Sequence, residues 1–544
     1  MNQPNKQNEW ALLGIAAIIC TIIFIFMEIV PAIITINKHE YGGKAIPKTV
    51  AEERAGAFAA EQTGLTVVKT HVVHQSDKLL TGYLAKEKQT ENYENKYDSQ
   101  FPVDTFQVNV NFAEGKGHGF VYVHMFNERI VGWNLIVNGT AVSEQETREL
   151  TNDFLYESGR LQGHAAGNAT VGRYGELTQR IAGYEVEEAQ LSIVTKATSI
   201  DGKLVLSQYK PTFDVPDAYK NYVKDQDKLA GWLTGVGYGF MTFVLGVLAI
   251  IYAILYRKHT SFTYGILLTV VFFIAYVIMN LGVADGMIAS QGEVLQDDFL
   301  SIILTVTTIV LSVVMAASVY FSLVAGDGLW KSQGRSVWPR MKEPGYGDYV
   351  WRSMGLSYLF ALIMLGLQPV IFFVLGKLIG TWGASDVTMS PYNMKYLWLM
   401  PVLAWAAAIS EEAVYRFFGI GLFRRWFRNT FAAAIIPTII WALGHVMYPF
   451  YPSTTRLFEL IVIGLIFSFI FVRFGFITAM FTHVIFNSVA VGSSMIFAGG
   501  TINIVSALFF IILPVIIAFI LKVWSNRKRT NPPTRSTIHP LEQQ

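Results

Sequence analysis

The run Ala407-Ala408-Ile409-Ser410-Glu411-Glu412-Ala413-Val414-Tyr415-Arg416 puts two adjacent carboxylates and an arginine inside a very hydrophobic stretch. A charge near the middle of a membrane-spanning helix costs about 2.5–3.5 kcal/mol even on lenient insertion scales. Such residues are kept when they pair with one another or line a polar cavity. Further apolar segments carry His445, then His483 and Asn487. Carboxylate, imidazole and amide together form a set able to activate water, at a depth where water is scarce.

The rest of the chain must hold these groups in place. Of 544 residues, 52% are hydrophobic and 15% charged, and several apolar runs exceed membrane-spanning length. The expected fold is a polytopic α-helical membrane protein of about ten transmembrane helices. A mixed α+β extracytoplasmic domain follows the first helix. The boundaries expected are an N-terminal anchor helix at 10–36, the external domain at 37–229 and helices two to five at 230–395. A membrane core at 396–523, which carries the polar groups, and a basic cytoplasmic tail at 524–544 complete the chain. The first apolar run is too long for a signal-peptide core and no small-residue cleavage site follows it, so it reads as an uncleaved anchor. Glu28 within it reads as either a pairing residue or one close enough to the interface to reach water, pairing being the more common case. The single cysteine, Cys20, reads as a packing residue. A net charge of +2, placed by loop, gives no sign of a nucleic-acid partner. The partners expected are the lipid bilayer and an external protein meeting residues 37–229.

Within the polar region, Val50 to Thr63 has helical spacing closed by Gly64. Leu65 to Val73 and Leu79 to Leu84 read as strands. Thr105 to Phe112 alternates strictly, the pattern of a half-buried strand. Gly119 to Met125 and Ile130 to Val137 continue it. Ser143 with Glu146 forms a capping box. Tyr184 to Thr198 and Lys203 to Tyr209 read as a hairpin about Asp201-Gly202. His39, His71, His74, His118, His124 and His164 lie here; they read as surface histidines rather than a metal site, since His71 and His74 would face opposite ways on a strand. Asn138-Gly-Thr and Asn168-Ala-Thr fit a glycosylation pattern that is frequent by chance.

Nine further spans begin near Gly231, Phe262, Phe299, Gly355, Tyr396, Thr430, Phe458, Phe474 and Thr501. Basic loops at Arg257–Lys258, Lys331–Arg352, Arg424–Arg428, Arg473 and Arg527–Arg529 alternate with acidic ones. The positive-inside rule then places both termini in the cytoplasm and residues 37–229 outside, in a multi-pass cell-membrane protein. Measured from the cytoplasmic ends of their helices, Glu411 lies about 20 Å deep, His445 about 22 Å, His483 about 15 Å and Asn487 about 21 Å. Three helices therefore deliver polar groups to one layer. Glu412 and Arg416, four apart, share a face and can pair, while Glu411 is turned about 100° away. Gly419, Gly421, Gly444 and the Ala406–Ala408 run allow close helix approach. On the residues alone, a non-catalytic membrane scaffold, self-immunity factor or transporter with a structural polar layer stands as the alternative to an enzyme.

Glu-Glu-x-x-x-Arg at 411–416, Trp-x-x-x-His at 441–445 and His-x-x-x-Asn at 483–487 resemble the three motifs of the CAAX-prenyl-protease-related intramembrane endopeptidases. That grouping (CPBP, or Abi) includes type II CAAX endopeptidases and bacteriocin-processing and self-immunity proteins. The resemblance covers about Tyr396 to Val523. The second motif usually opens with phenylalanine; Trp441 keeps an aromatic. The resemblance implies an intramembrane endopeptidase. Glu411 would be the base, aided by His445. His483 and Asn487 would stabilise the oxyanion. Glu412 and Arg416 would form a supporting ion pair, with a catalytic role open to Glu412. A metalloprotease-like variant, with zinc on His445, His483 and Glu411, is the second chemistry it admits. No His-Glu-x-x-His occurs, and metal-free chemistry is favoured.

Overall fold

The computed structural model describes residues 6–38, 44–157, 165–295 and 298–527. His39, His164 and the basic tail beyond Arg527 lie outside them. Among the described residues, eight helices are long and apolar enough to cross a membrane: Glu9–Thr35, Asp217–Leu255, Thr305–Ser332, Tyr346–Ile379, Leu397–Phe427, Thr455–Phe474, Phe476–Ala498 and Thr501–Arg527. The chain is thus a multi-pass membrane protein. Two of the ten expected spans are shorter, Ile266–Gly282 with 17 residues and Thr430–Leu443 with 14. Both have sharp local ends. Gly265 enters the first at φ 102°, and Asn429 caps the second by accepting from Ala432 N at 3.0 Å. The second long helix runs 39 residues without a break, so no linker separates it from the polar region.

The anchor helix packs on Tyr346–Ile379. A Cβ at Gly366 would lie 2.1 Å from the Cys20 carbonyl, so glycine is what allows that approach. Glu28 is exposed in a π-helical turn and has no basic partner among the described residues, contrary to the pairing expected of it.

After the anchor comes a β-sheet domain. Its strands are β1 (Val67–Ser76), β2 (Asp104–Phe112), β3 (Gly117–His124), β4 (Ile130–Val137), β5 (Thr140–Ala141), β6 (Ala165–Val171), β7 (Leu177–Val186), β8 (Ala189–Ile200) and β9 (Lys203–Asp214). The main path is β1-β2-β3-β4-β9-β8-β7-β6, with β5 on β8. Helices Lys48–Thr63 and Glu144–Glu157 pack on the sheet around the buried Trp133. The capping box is formed: Ser143 N donates to Glu146 at 3.1 Å, and Glu146 N to Ser143 Oγ at 3.3 Å. Asp201 and Gly202 both adopt positive φ, 49° and 82°, as a two-residue hairpin between β8 and β9 demands.

Three local expectations change. Leu79 to Leu84 lies in a helix, Lys78–Glu87, which Asp77 caps by accepting from Leu80 N at 3.0 Å. Six residues are too few to separate a period of 2 from one of 3.6; the cap decides. Tyr184 to Thr198 is two strands, β7 and β8, reversing at Glu187 with φ 52°. β2 is buried on both faces, with Gln107 and Asn109 as inaccessible as Phe106 and Val108.

The covering of the polar face of β2 is what positions the domain. Gln107 Nε2 donates to Gly292 O at 3.3 Å, and Gln75 Nε2 to Ala289 O at 2.7 Å. Glu293 accepts from Tyr122 at 2.6 Å and Asn134 at 2.7 Å and pairs with Lys210 at 3.1 Å. Asn393 brackets His74, accepting from its N at 2.7 Å and donating to its O at 2.9 Å. His71 meets Asp285 at 3.2 Å. These are interface histidines rather than surface ones. Loops 284–295, 382–393 and 448–453 therefore meet the sheet. The basic loops gather at the opposite end, where Arg424 donates to Gln333 at 2.9 Å and Tyr264 to Pro339 O at 2.7 Å.

Candidate active site

The helix carrying Glu411 changes character at that residue. Val402–Glu411 is α-helical; Glu412–Ile420 is wound as a π-helix and wholly buried. Wide turns of this kind are rare and cluster at functional sites. The buried Trp330 supports this one, its indole donating to Phe417 O at 2.8 Å. A Cβ at Gly419 would stand 3.0 Å from Pro437, and one at Gly421 would stand 3.0 Å from Trp330.

The junction separates the two glutamates. The Glu412 side chain is 0% exposed and pairs with the equally buried Arg416 at 3.2 Å. The Glu411 side chain retains 19% exposure, opening on a cavity of about 1290 Å³. His483, from helix Phe476–Ala498, stands between them: Nδ1 lies 2.9 Å from Glu412 Oε1 and Nε2 lies 3.7 Å from Glu411 Oε2. The His483 ring stacks on Phe467 at 4.6 Å, which fixes its plane. Arg416 lies over the Trp441 ring at 4.2 Å.

His445 is not inside a helix. The helix Thr430–Leu443 stops two residues short, and His445 sits on the following turn. A Cβ at Gly444 would meet Tyr238 at 2.6 Å, so the turn is clamped by the long second helix. His445 Nδ1 is 3.1 Å from Trp441 O, which can only accept, so Nδ1 carries a proton and neutral His445 keeps Nε2 as an acceptor. Asn487 follows His483 by one turn and also lines the cavity. The cavity thus brings together Glu411, His445, His483 and Asn487. Glu412 and Arg416 support it from behind.

Three features were not anticipated. Trp441 is more than an aromatic filler, since its indole Nε1 donates to the Glu411 carboxylate, a bond phenylalanine cannot make. The buried Glu459 pairs with Arg456 at 2.9 Å and accepts from Gln368 at 2.9 Å. Arg456 and Gln368 line the same cavity. Glu459 sits in an apolar run, the same signal that marks Glu411. His483 engages Glu412, a partner no spacing rule supplies.

The donor types of Glu411, His445 and His483 suit zinc. Among the described residues, no group of three or more His, Cys, Asp or Glu side chains is gathered closely enough to hold an ion. Each histidine has its Nδ1 committed, to a carbonyl and to a carboxylate, which leaves Nε2 as the ring nitrogen available for chemistry.

Residues 393–489 match a family model described as type II CAAX prenyl endopeptidase Rce1-like. The match contains all three motifs and begins at Asn393, which grips His74. No curated protein and no solved structure matches the chain.

Proposed function

We propose that the chain is an intramembrane endopeptidase that hydrolyses a peptide bond of a peptide or membrane-protein substrate with a water activated by Glu411. The observation that carries this reading is the contrast between adjacent glutamates: Glu411 opens on the cavity, and Glu412 is sealed against Arg416 and His483. Glu411 takes a proton from water, and the hydroxide attacks the carbonyl carbon. The C=O bond becomes a C–O⁻ bond, stabilised by hydrogen bonds from Asn487 and His483. The proton then passes from Glu411 to the leaving nitrogen, the C–N bond breaks, and acid and amine products remain. Glu412 holds His483 in orientation as a carboxylate holds a histidine. Trp441 orients Glu411, and His445 Nε2 accepts a hydrogen bond from the incoming water, which holds it in place. No metal enters these steps; activity in excess chelator is the check on that.

The basic loops at the far end support an orientation with that end in the cytoplasm and the β-sheet domain outside. Labelling of a single cysteine on the sheet, in a Cys20→Ser background, tests the orientation: it should succeed in intact cells. Purified protein offered a quenched peptide library tests the activity. Wild type should cleave members that the Glu411→Gln protein does not.

A further inference from the structure

A second cavity, about 950 Å³, lies where the β-sheet domain meets the membrane part. One wall carries His74, Asp104 and Phe126; the other carries Asp386, Met389 and Tyr448. Tyr448 also lines the membrane cavity. Its ring lies parallel to that of His445, centroids 5.9 Å apart, and Arg456 lies 5.3 Å from the ring. One aromatic side chain therefore divides the interdomain cleft from the proposed chemistry.

Among the described residues, the cleft wall contains no lysine or arginine. Asp386 accepts from Thr388 N at 2.9 Å and has no basic partner among the described residues. Asp104 meets His74 Nε2 at 3.1 Å, while the buried His74 Nδ1 has no hydrogen-bond partner among the described residues. Phe126, Met125 and Met389 supply an apolar, adaptable lining. The cleft is also held open between fixed parts: Asn393 ties β1 to one wall, and Ala384 N donates to Pro449 O at 2.8 Å along the other.

We propose that this cleft receives an extended stretch of the substrate polypeptide beside the bond to be cut, and that it selects a lysine or arginine set among apolar residues. This rests on the endopeptidase reading. A chain leaving the cavity past Tyr448 enters the cleft directly, and the carboxylate of Asp386 awaits a cation. Such contacts at a half-wet surface discriminate between partners more than they add affinity.

The test uses full-length protein in detergent and peptides in which one flanking position is lysine, glutamine or glutamate, moved one residue at a time. For wild type the best lysine peptide should have a KM lower than its glutamine counterpart by about tenfold, with kcat unchanged. Asp386→Asn should equalise the two, and Asp386→Lys should favour the glutamate peptide. Fluorescent lysine peptide should also bind Glu411→Gln protein and lose that binding in the Glu411→Gln, Asp386→Lys double variant. Lysine, glutamine and glutamate ratios unchanged by both Asp386 variants, in protein of unaltered thermal stability, would overturn the cleft. Equal turnover by wild type and Glu411→Gln would instead overturn the endopeptidase reading, while the binding preference still decides the cleft.

Discussion

The membrane cavity and the interdomain cleft share Tyr448 as a wall but treat charge in opposite ways. In the cavity, Glu412 and Arg416 are inaccessible, and each is committed to the other or to His483. In the cleft, Asp386 is half-buried and has no cationic partner among the described residues. Burial explains the difference. Removing one member of a buried pair leaves an uncompensated charge, a cost of about 3–5 kcal/mol. A half-wet carboxylate keeps part of its hydration and can stay unpaired until a ligand arrives. In the proposed reading, charge in the cavity serves geometry and chemistry, and charge in the cleft serves selection.

The sharpest way to break that contrast is Glu411→Gln. It keeps the shape and removes the base, and it should lower turnover by about a thousandfold or more while thermal stability is retained. Turnover at the wild-type rate would mean that the open glutamate does no chemistry. Glu412→Gln should behave differently, because Arg416 and His483 lose their anion. Stability should fall by about 3–5 kcal/mol, read as a lower unfolding midpoint in detergent. If both variants lost stability equally, the polar layer would be structural and the contrast between the two glutamates would disappear.

Trp441→Phe sharpens the cavity side. It restores the residue expected of the motif and deletes one hydrogen bond to a carboxylate. A loss of about 1.5–3 kcal/mol in transition-state stabilisation should appear in kcat/KM, with the fold unchanged. An active site indifferent to this exchange would not depend on the indole to orient Glu411.

The smallest effect belongs to the domain interface. Burial pushes the Glu293 carboxyl up, but Lys210, Tyr122 and Asn134 outweigh it and hold it below its ordinary range. For Asp285, burial is likewise outweighed, here by His71, Lys48 and Lys395. Folded values below the unfolded ones make this contribution fully present above about pH 4.3, and it is lost as pH falls through the depressed range. Because both groups are partly accessible, each is worth about 1 kcal/mol or less. Hydrogen exchange along β1 and β3 should rise on acidification through that window, and should rise less in Glu293→Gln protein. Exchange independent of pH there would show that the apolar contacts alone hold the domain.

The residues themselves determined the class, the polar layer and the different facing of Glu411 and Glu412. Transfer energy into lipid and the angular step of a helix are local properties, readable from spacing. The capping box and the Asp201-Gly202 hairpin were legible for the same reason. Short apolar runs were not: Leu79 to Leu84 depended on the Asp77 cap, and the span expected over His445 ended at Leu443. Only the packed structure decided that Trp441 donates to Glu411, that His483 bridges two carboxylates, that Glu459 meets Gln368, and that Gln107 meets loop 284–295. Those partners lie tens to hundreds of residues apart. Which side chains meet depends on how whole elements pack, and no periodicity in a single segment encodes its neighbour.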